Sequence, residues 1–364
     1  MFLLSSIAHG YAQQNILVNS RLVGDNGSVD FYVELTLDTR TTQLYNLAFN
    51  FYSGVKDGQP NEVEVTDSVY ITGKANVHYL RFTMPQDSLS EKINMEVVDK
   101  GTRQTHIYQQ AVDEREPLIL YQDGRPVMYP YVQQGQYTFA DSTSVTAFYY
   151  NHDFNYSAPP MTFSAQASQS MDIRETYTVQ GTVILDKEGL YLFQKDTLSN
   201  SAMVIRVVPP YYPKMATVAQ LTGPLNYIST NDERTKLDAI GNDKKLFDRY
   251  WLDLSGKPEI AIKTIKGFYD RVEEANRRYT SFKEGWKSDM GMVYIVMDEP
   301  DNIERAGDKV VWLYNANRLL PKRKYEFIKT STIFSPAHYV LLREKEHASA
   351  WYDAIDLIRK GIFK

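Results

Sequence analysis

Ser288 and Asp289 are adjacent, and two histidines, His338 and His347, follow them in the chain. Serine, carboxylate and imidazole are the parts of an acyl-transfer site: the imidazole takes the serine proton and the carboxylate orients the ring. Adjacency in sequence does not assemble such a site, because the fold must still deliver a histidine. A local reading accounts for the same residues. Ser288 or Asp289 accepts backbone N–H groups at a turn. Gly285 ends the preceding helix in the left-handed conformation, and Trp286 folds back on that helix. This reading explains Gly285-Trp286-Lys287-Ser288-Asp289 without catalysis, so no catalytic residue is assigned. Asp298, Glu299 and Asp301 place three carboxylates around Pro300. Hard cations take oxygen ligands, but this spacing lacks the alternation of a calcium loop. The histidines do not occur in His-x-x-x-His or Glu-x-x-His patterns. No metal and no cofactor is expected. A Gly-rich phosphate loop and a Gly-x-Ser-x-Gly elbow are both absent.

Composition narrows the classes further. The chain has 364 residues with no cysteine, which excludes disulfide frameworks, zinc–thiolate sites and cysteine nucleophiles. Its 27 tyrosines point to layered β structure. No apolar run approaches the length of about 18 residues that a membrane-spanning helix needs. Residues 1–214 carry 15 basic and 23 acidic side chains, and residues 215–364 carry 25 and 22. The basic excess of the second part is too small for a nucleic-acid face, and Lys322-Arg323-Lys324 reads as a solvated turn. The opening residues, apolar over 2–8 with Gly10 and Ala12 at the small positions of a cleavage site, read as the end of a secretory signal, although no Lys or Arg precedes Arg21.

The elements that must position these residues change along the chain. Val29, Phe31, Val33, Leu35 and Leu37 alternate with polar residues, and Asp25-Asn26-Gly27 precedes them as a hairpin turn. Residues 78–84 alternate in the same way. Strands are also expected over 118–122, 145–150, 177–185, 190–194 and 203–207. Tyr191 either closes a tyrosine corner of an immunoglobulin-like sandwich or follows an ordinary Lys-Glu-Gly turn. The charged run 113–117 reads as a linker, Ala158-Pro159-Pro160 as extended chain, and the Pro-rich stretch 209–213 as a boundary.

Beyond it the period becomes helical. Thr230 and Glu233 form a capping box. Pro258 opens a long helix that buries Ile265, Phe268, Val272 and Phe282 and carries Arg271 and Asn276. Arg271 is expected to pair with Glu274 or with a loop carboxylate such as Asp289. Strands are expected over 292–297, 309–314, 325–330 and 339–343, and a last helix over 346–360.

Arg271-Val272 with Ala275-Asn276, then Gly285-Trp286-Lys287-Ser288-Asp289, Gly291, Tyr294-Ile295, Pro300-Asp301 and Trp312-Leu313-Tyr314, resemble the GWxTD-domain proteins of Bacteroidota. The resemblance spans about residues 214–363. It implies an exported envelope protein and carries no activity with it. The motif residues Arg271, Asn276, Gly285, Trp286, Ser288, Asp289, Gly291, Tyr294, Pro300, Asp301, Trp312 and Tyr314 are the candidate binding set. Three positions depart from the family pattern: Ser288 replaces Thr, Met290 replaces Arg, and Asp298 replaces Gly. The last is expected to make a positive φ less accessible in that turn.

The expectation is therefore a multidomain chain. A signal remnant over 1–14 precedes two all-β immunoglobulin-like sandwiches, over 15–112 and 113–213, and an α+β domain over 214–364. Its expected role is an envelope scaffold or binding protein, periplasmic or on the periplasmic face of the outer membrane, and not an enzyme. Its expected partners are envelope proteins or surface glycans, with no nucleic acid and no transmembrane segment. The alternatives are an envelope hydrolase using Ser288, Asp289 and His338, or an accessory factor in outer-membrane assembly or secretion.

Overall fold

The computed structural model describes residues 15–24, 27–56, 58–140, 143–162 and 171–363. The signal-like opening and the Asp25-Asn26 part of the expected hairpin turn lie outside the described residues. The chain divides into two compact units. One comprises Met1–Asn151, Ile173–Val207 and Thr332–Pro336; the other comprises His152–Asp172, Val208–Ser331 and Ala337–Lys364.

In the first unit, Ser28–Leu37 pairs with Ile16–Val23 on one side and Val77–Pro85 on the other, and Asp67–Lys74 completes the sheet. The facing sheet runs Gln59–Glu62, Leu47–Lys56, Lys92–Asp99, Gln104–Ala111. Period-two alternation turns Val29, Phe31, Val33 and Leu35 inward against Phe51, Ile93, Met95 and Val97. Phe31 and Phe51 meet edge to face at 5.6 Å across that interior.

A second pair of sheets follows the same logic. One runs Arg125–Pro126, Leu120–Gln122, Gly135–Phe139, Thr182–Leu185. The other runs Tyr131–Val132, Met203–Val207, Gly189–Gln194, Ser144–Tyr150, Glu175–Gln180, with its first pair parallel. The continuous strand expected over 177–185 is in fact two strands in different sheets. Gly181, at φ +70°, turns the chain between them. The Tyr191 hydroxyl accepts the Lys187 backbone N–H at 3.3 Å, so the bond back to the turn is present. Among the described residues, no α-helix occurs before residue 218.

The charged run 113–117 is pinned at both levels. Buried Arg21 pairs with Glu116 and donates to the Val127 carbonyl at 2.8 Å. The Glu116 backbone bonds to Leu22 and Gly24. Val23, Tyr32, Ile119 and Met128 form a small apolar cluster beside this pair.

Among the described residues, the second unit holds six α-helices: α1 (Val218–Leu225), α2 (Asn231–Asp238), α3 (Lys244–Ser255), α4 (Pro258–Tyr279), α5 (Asp289–Met297) and α6 (His347–Arg359). The Thr230–Glu233 capping box opens α2, and Pro258 sits in the first turn of α4, where its missing N–H costs nothing. Helix α4 buries Phe268, Val272, Ala275 and Asn276, while Ile265 is only half-buried; Phe282, expected on this helix, lies beyond its end at Tyr279 and is also half-buried. An antiparallel sheet runs Asn302–Ala306, Lys309–Tyr314, Arg323–Lys329, Tyr339–Leu341. It turns Trp312, Tyr314, Tyr325 and Phe327 to the interior.

Residues 292–297, expected as a strand, lie in α5. All nine residues of α5 are buried. A helix enclosed on every side shows no polar face, so its sequence reads as one apolar run, and that run does not distinguish helix from strand. Among the described residues, no helix is long and apolar enough to cross a membrane.

Candidate functional site

The site grows from the C-terminal half of α4. Arg271 is buried on that helix and donates to the Ile295 and Val296 carbonyls at 3.2 and 3.3 Å, satisfying the end of α5. It also pairs with Asp298 at 2.8 Å. The partner is thus neither Glu274 nor Asp289, because the guanidinium points across to the α5 terminus. Asp298 has φ +67° and ψ −167°, so the turn adopts the positive φ that its non-glycine side chain was expected to disfavour. The Arg271 pair, the Tyr314 hydroxyl on the Asp298 carbonyl at 2.9 Å and the Glu299 N–H on Oδ1 at 2.8 Å hold it there.

Five residues on, Asn276 is fully buried. Its amide donates to the Pro213 carbonyl at 2.9 Å and accepts the Trp286 N–H at 3.0 Å. Thr280 Oγ1 accepts the Gly285 N–H at 2.9 Å. Gly285 does not take the left-handed conformation expected of it. Its requirement is space: a Cβ there would lie 2.0 Å from the Ala275 carbonyl oxygen. Gly291 has the same need, since its Cβ would meet the Gly285 carbonyl oxygen at 1.9 Å. The two motif glycines let the backbones of α4, the 285–288 turn and α5 touch.

Trp286 is 7% exposed. Tyr227 meets its ring edge to face at 6.1 Å and donates its hydroxyl to the Trp286 carbonyl at 2.8 Å. The Gly223 backbone lies close against the far edge of the indole. Trp286 therefore packs on α1 and the chain that follows it. Ser288 is the N-cap of α5: Oγ accepts the Gly291 N–H at 2.9 Å and donates to the Gly285 carbonyl at 2.7 Å. Asp289 accepts the Leu341 N–H at 2.7 Å and pairs with Arg343 at 2.6 Å.

Among the described residues, no histidine is bonded to Ser288. The His338 ring stands 5.0 Å from Phe282, and burial, helped by Lys283, pushes its pKa down to about 4. Burial also lowers the Lys283 pKa, against the pull of Asp289. The three turn carboxylates diverge. Asp298 goes to Arg271, Glu299 to Arg278 at 2.8 Å, and Asp301 to the Asn315 N–H at 2.7 Å. Pro300 is half-buried between them. The Tyr294 ring is tilted against Tyr279 at 5.7 Å, Tyr279 is tilted against Trp312 at 5.6 Å, and Trp312 and Tyr314 are buried.

Sequence reasoning missed Arg343, which neutralises Asp289, and a strap over residues 152–162. Tyr156 stacks on Trp286 at 6.1 Å, with the ring planes 21° apart. Ser157 donates to the Lys287 carbonyl at 2.9 Å, and Asp153 pairs with Lys287. Proline punctuation marked the strap as extended but gave no sign of where it docks.

A search of curated proteins finds no match for this chain. Among solved structures, one titled "Anomalous substructure of Titin-A168169" is similar at 9% identity with a TM-score of 0.17. That alignment covers 53% of this chain and 97% of the other. The family model described as the GWxTD domain matches residues 189–360, a span that contains α1 to α6, the 285–289 motif and the last two strands of the five-stranded sheet in chain order.

Proposed function

We propose that the chain is an exported scaffold or binding protein of the bacterial cell envelope, of the Bacteroidota type, in which Gly285–Lys287 and the α5 cap anchor a binding surface. The carrying observation is that Ser288 Oγ is engaged as both donor and acceptor, and Asp289 is neutralised by Arg343. A nucleophile needs a base within reach and a free oxygen, and Ser288 has neither. The signal-like opening supports export. Two immunoglobulin-like sandwiches over 15–112 and 113–213, in front of an α+β region, suit display of an interaction surface, and the Tyr191 corner bond supports that fold. The exposed rings of Tyr45 and Tyr70 suit contacts with envelope proteins or glycans.

A fluorophosphonate probe tests the reading on the full chain. Wild type and Ser288→Ala should label equally, while Ser288→Ala loses about 1 kcal/mol of stability as a lost helix cap. Labelling that depends on Ser288 would transfer the argument to a hydrolase.

A further inference from the structure

The strap makes neither helix nor strand, yet it is held at Asp153, Tyr156, Ser157, Ala158 and Pro160. Tyr156 lies on the Trp286 ring. Ser157 is 3% exposed and donates to the Lys287 carbonyl. The Ala158 carbonyl accepts from Arg343 at 3.1 Å, and the Pro160 carbonyl accepts the Glu344 N–H at 3.0 Å. Pro159 and Pro160 supply a chain already set in the extended form. An aromatic stack, one buried small hydroxyl and main-chain carbonyls read by fixed donors are how a groove reads an extended peptide. A core element buries its rings, whereas the Tyr156 ring remains 36% exposed.

We propose that the face of the second unit around Trp286, Tyr227, Lys287 and Arg343 is a docking groove for an extended peptide carrying an aromatic residue, a small hydroxyl residue and two prolines. Residues 156–160, Tyr-Ser-Ala-Pro-Pro, are its resident occupant. This deepens the binding reading above and rests on it. A tethered segment is present at an effective concentration on the order of millimolar. It therefore suppresses a free competitor of micromolar affinity until its own anchors are weakened. The partner is a protein segment of the strap's own pattern, admitted when the strap leaves.

The test uses the full chain and a fluorescein-labelled peptide of residues 152–162. Binding is read by anisotropy for wild type, for Tyr156→Ala and for Tyr156→Ala/Ser157→Ala. The double variant should bind at least about tenfold tighter than wild type, and a peptide with the same two alanines should not bind it. Trp251, Trp312 and Trp351 are at most 1% exposed, so acrylamide quenching reports Trp286. Quenching should rise in the variants and fall again with peptide. If the double variant does not fold, Tyr156→Ala, which leaves the buried Ser157 contact in place, carries the same measurement. Equal peptide affinity in wild type and variant overturns the proposal. A wild-type dimer that Tyr156→Ala dissociates also overturns it, in favour of straps exchanged between copies. Ser288-dependent labelling, the failure of the function proposed above, leaves this titration unchanged, so the two failures are distinguishable.

Discussion

Asn276 and Trp286 are joined by a single buried hydrogen bond, from the indole residue's backbone N–H to the amide oxygen at 3.0 Å, while the other end of the same amide holds the Pro213 carbonyl. One side chain thus fixes the 285–288 turn and the entry to the helical region against the same turn of α4. Its neighbour in the motif, Arg271, does the equivalent one and a half turns earlier for the end of α5.

Asn276→Ala should therefore cost about 2–6 kcal/mol, since two buried backbone groups lose their partners at about 1–3 kcal/mol each. Asn276→Asp should be no better, because a carboxylate cannot donate to Pro213. Urea denaturation of the full chain, followed by tryptophan fluorescence, measures both. A loss below about 0.5 kcal/mol for Asn276→Ala would remove the amide from its bridging role.

The motif glycines make a sharper case. Gly285→Ala and Gly291→Ala each drive a methyl to within about 2 Å of a backbone oxygen, which no rotamer relieves. Both should abolish the cooperative unfolding transition of the second unit. Gly307→Ala is the control. Gly307, unlike the two motif glycines, has a positive φ, and open space surrounds it, so only the backbone penalty of about 1 kcal/mol applies. A loss at 285 no larger than at 307 would mean that close backbone contact does not select the motif glycines.

At Asp298 two terms oppose each other. Its backbone lies in a region that glycine occupies freely and other residues occupy at about 1–3 kcal/mol. Its carboxylate pairs with a buried guanidinium at 2.8 Å. Asp298→Gly relieves the first and loses the second, and Asp298→Ala keeps the strain and loses the pair. Asp298→Gly should thus be more stable than Asp298→Ala by about 1–2 kcal/mol. Thermal melts of the two variants decide it. Equal melting temperatures would mean that the turn relaxes to negative φ without the Arg271 contact.

Local rules in the sequence were legible, and tertiary destinations were not. The alternation over Ser28–Leu37, the Thr230–Glu233 box, Pro258 at the start of α4 and Ser288 as a cap each follow from neighbours within four residues. Helix α5 hid because total burial erases periodicity. Gly285 was read for φ when its constraint came from Ala275, a contact only the folded helix creates. Arg343 meets Asp289 across 54 positions, and Ser157 meets Lys287 across 130. No spacing rule reaches that far. Gly181 could have been found, since a lone glycine inside a strand pattern signals a break.

His338 gives the acid stability of the second unit a measurable shape. Its ring is held against Phe282, and burial first, then the Lys283 ammonium, lowers its pKa to about 4, with Asp289 opposing. The unfolded chain protonates that histidine near its ordinary value of about 6.5. Between those two values the unfolded state binds more protons, so stability falls as pH drops from about 6.5 towards 4 and levels off below. The full window of about 2.5 pH units corresponds to at most about 3 kcal/mol. His347, also lowered by burial, contributes with the same sign. Glu233, held low by Arg359, loses its contribution only below its unfolded value of about 4.5, so working above pH 5 leaves it out; Glu34, raised by burial, belongs to the first unit. Urea midpoints at pH 7 and 5 should therefore differ clearly in wild type, less in His338→Gln and least in His338→Gln/His347→Gln. Lys283→Met should narrow the window from below, because removing that charge raises the His338 pKa. If His338→Gln keeps the full wild-type slope, the imidazole is hydrated in the folded chain and its neighbours do not govern it.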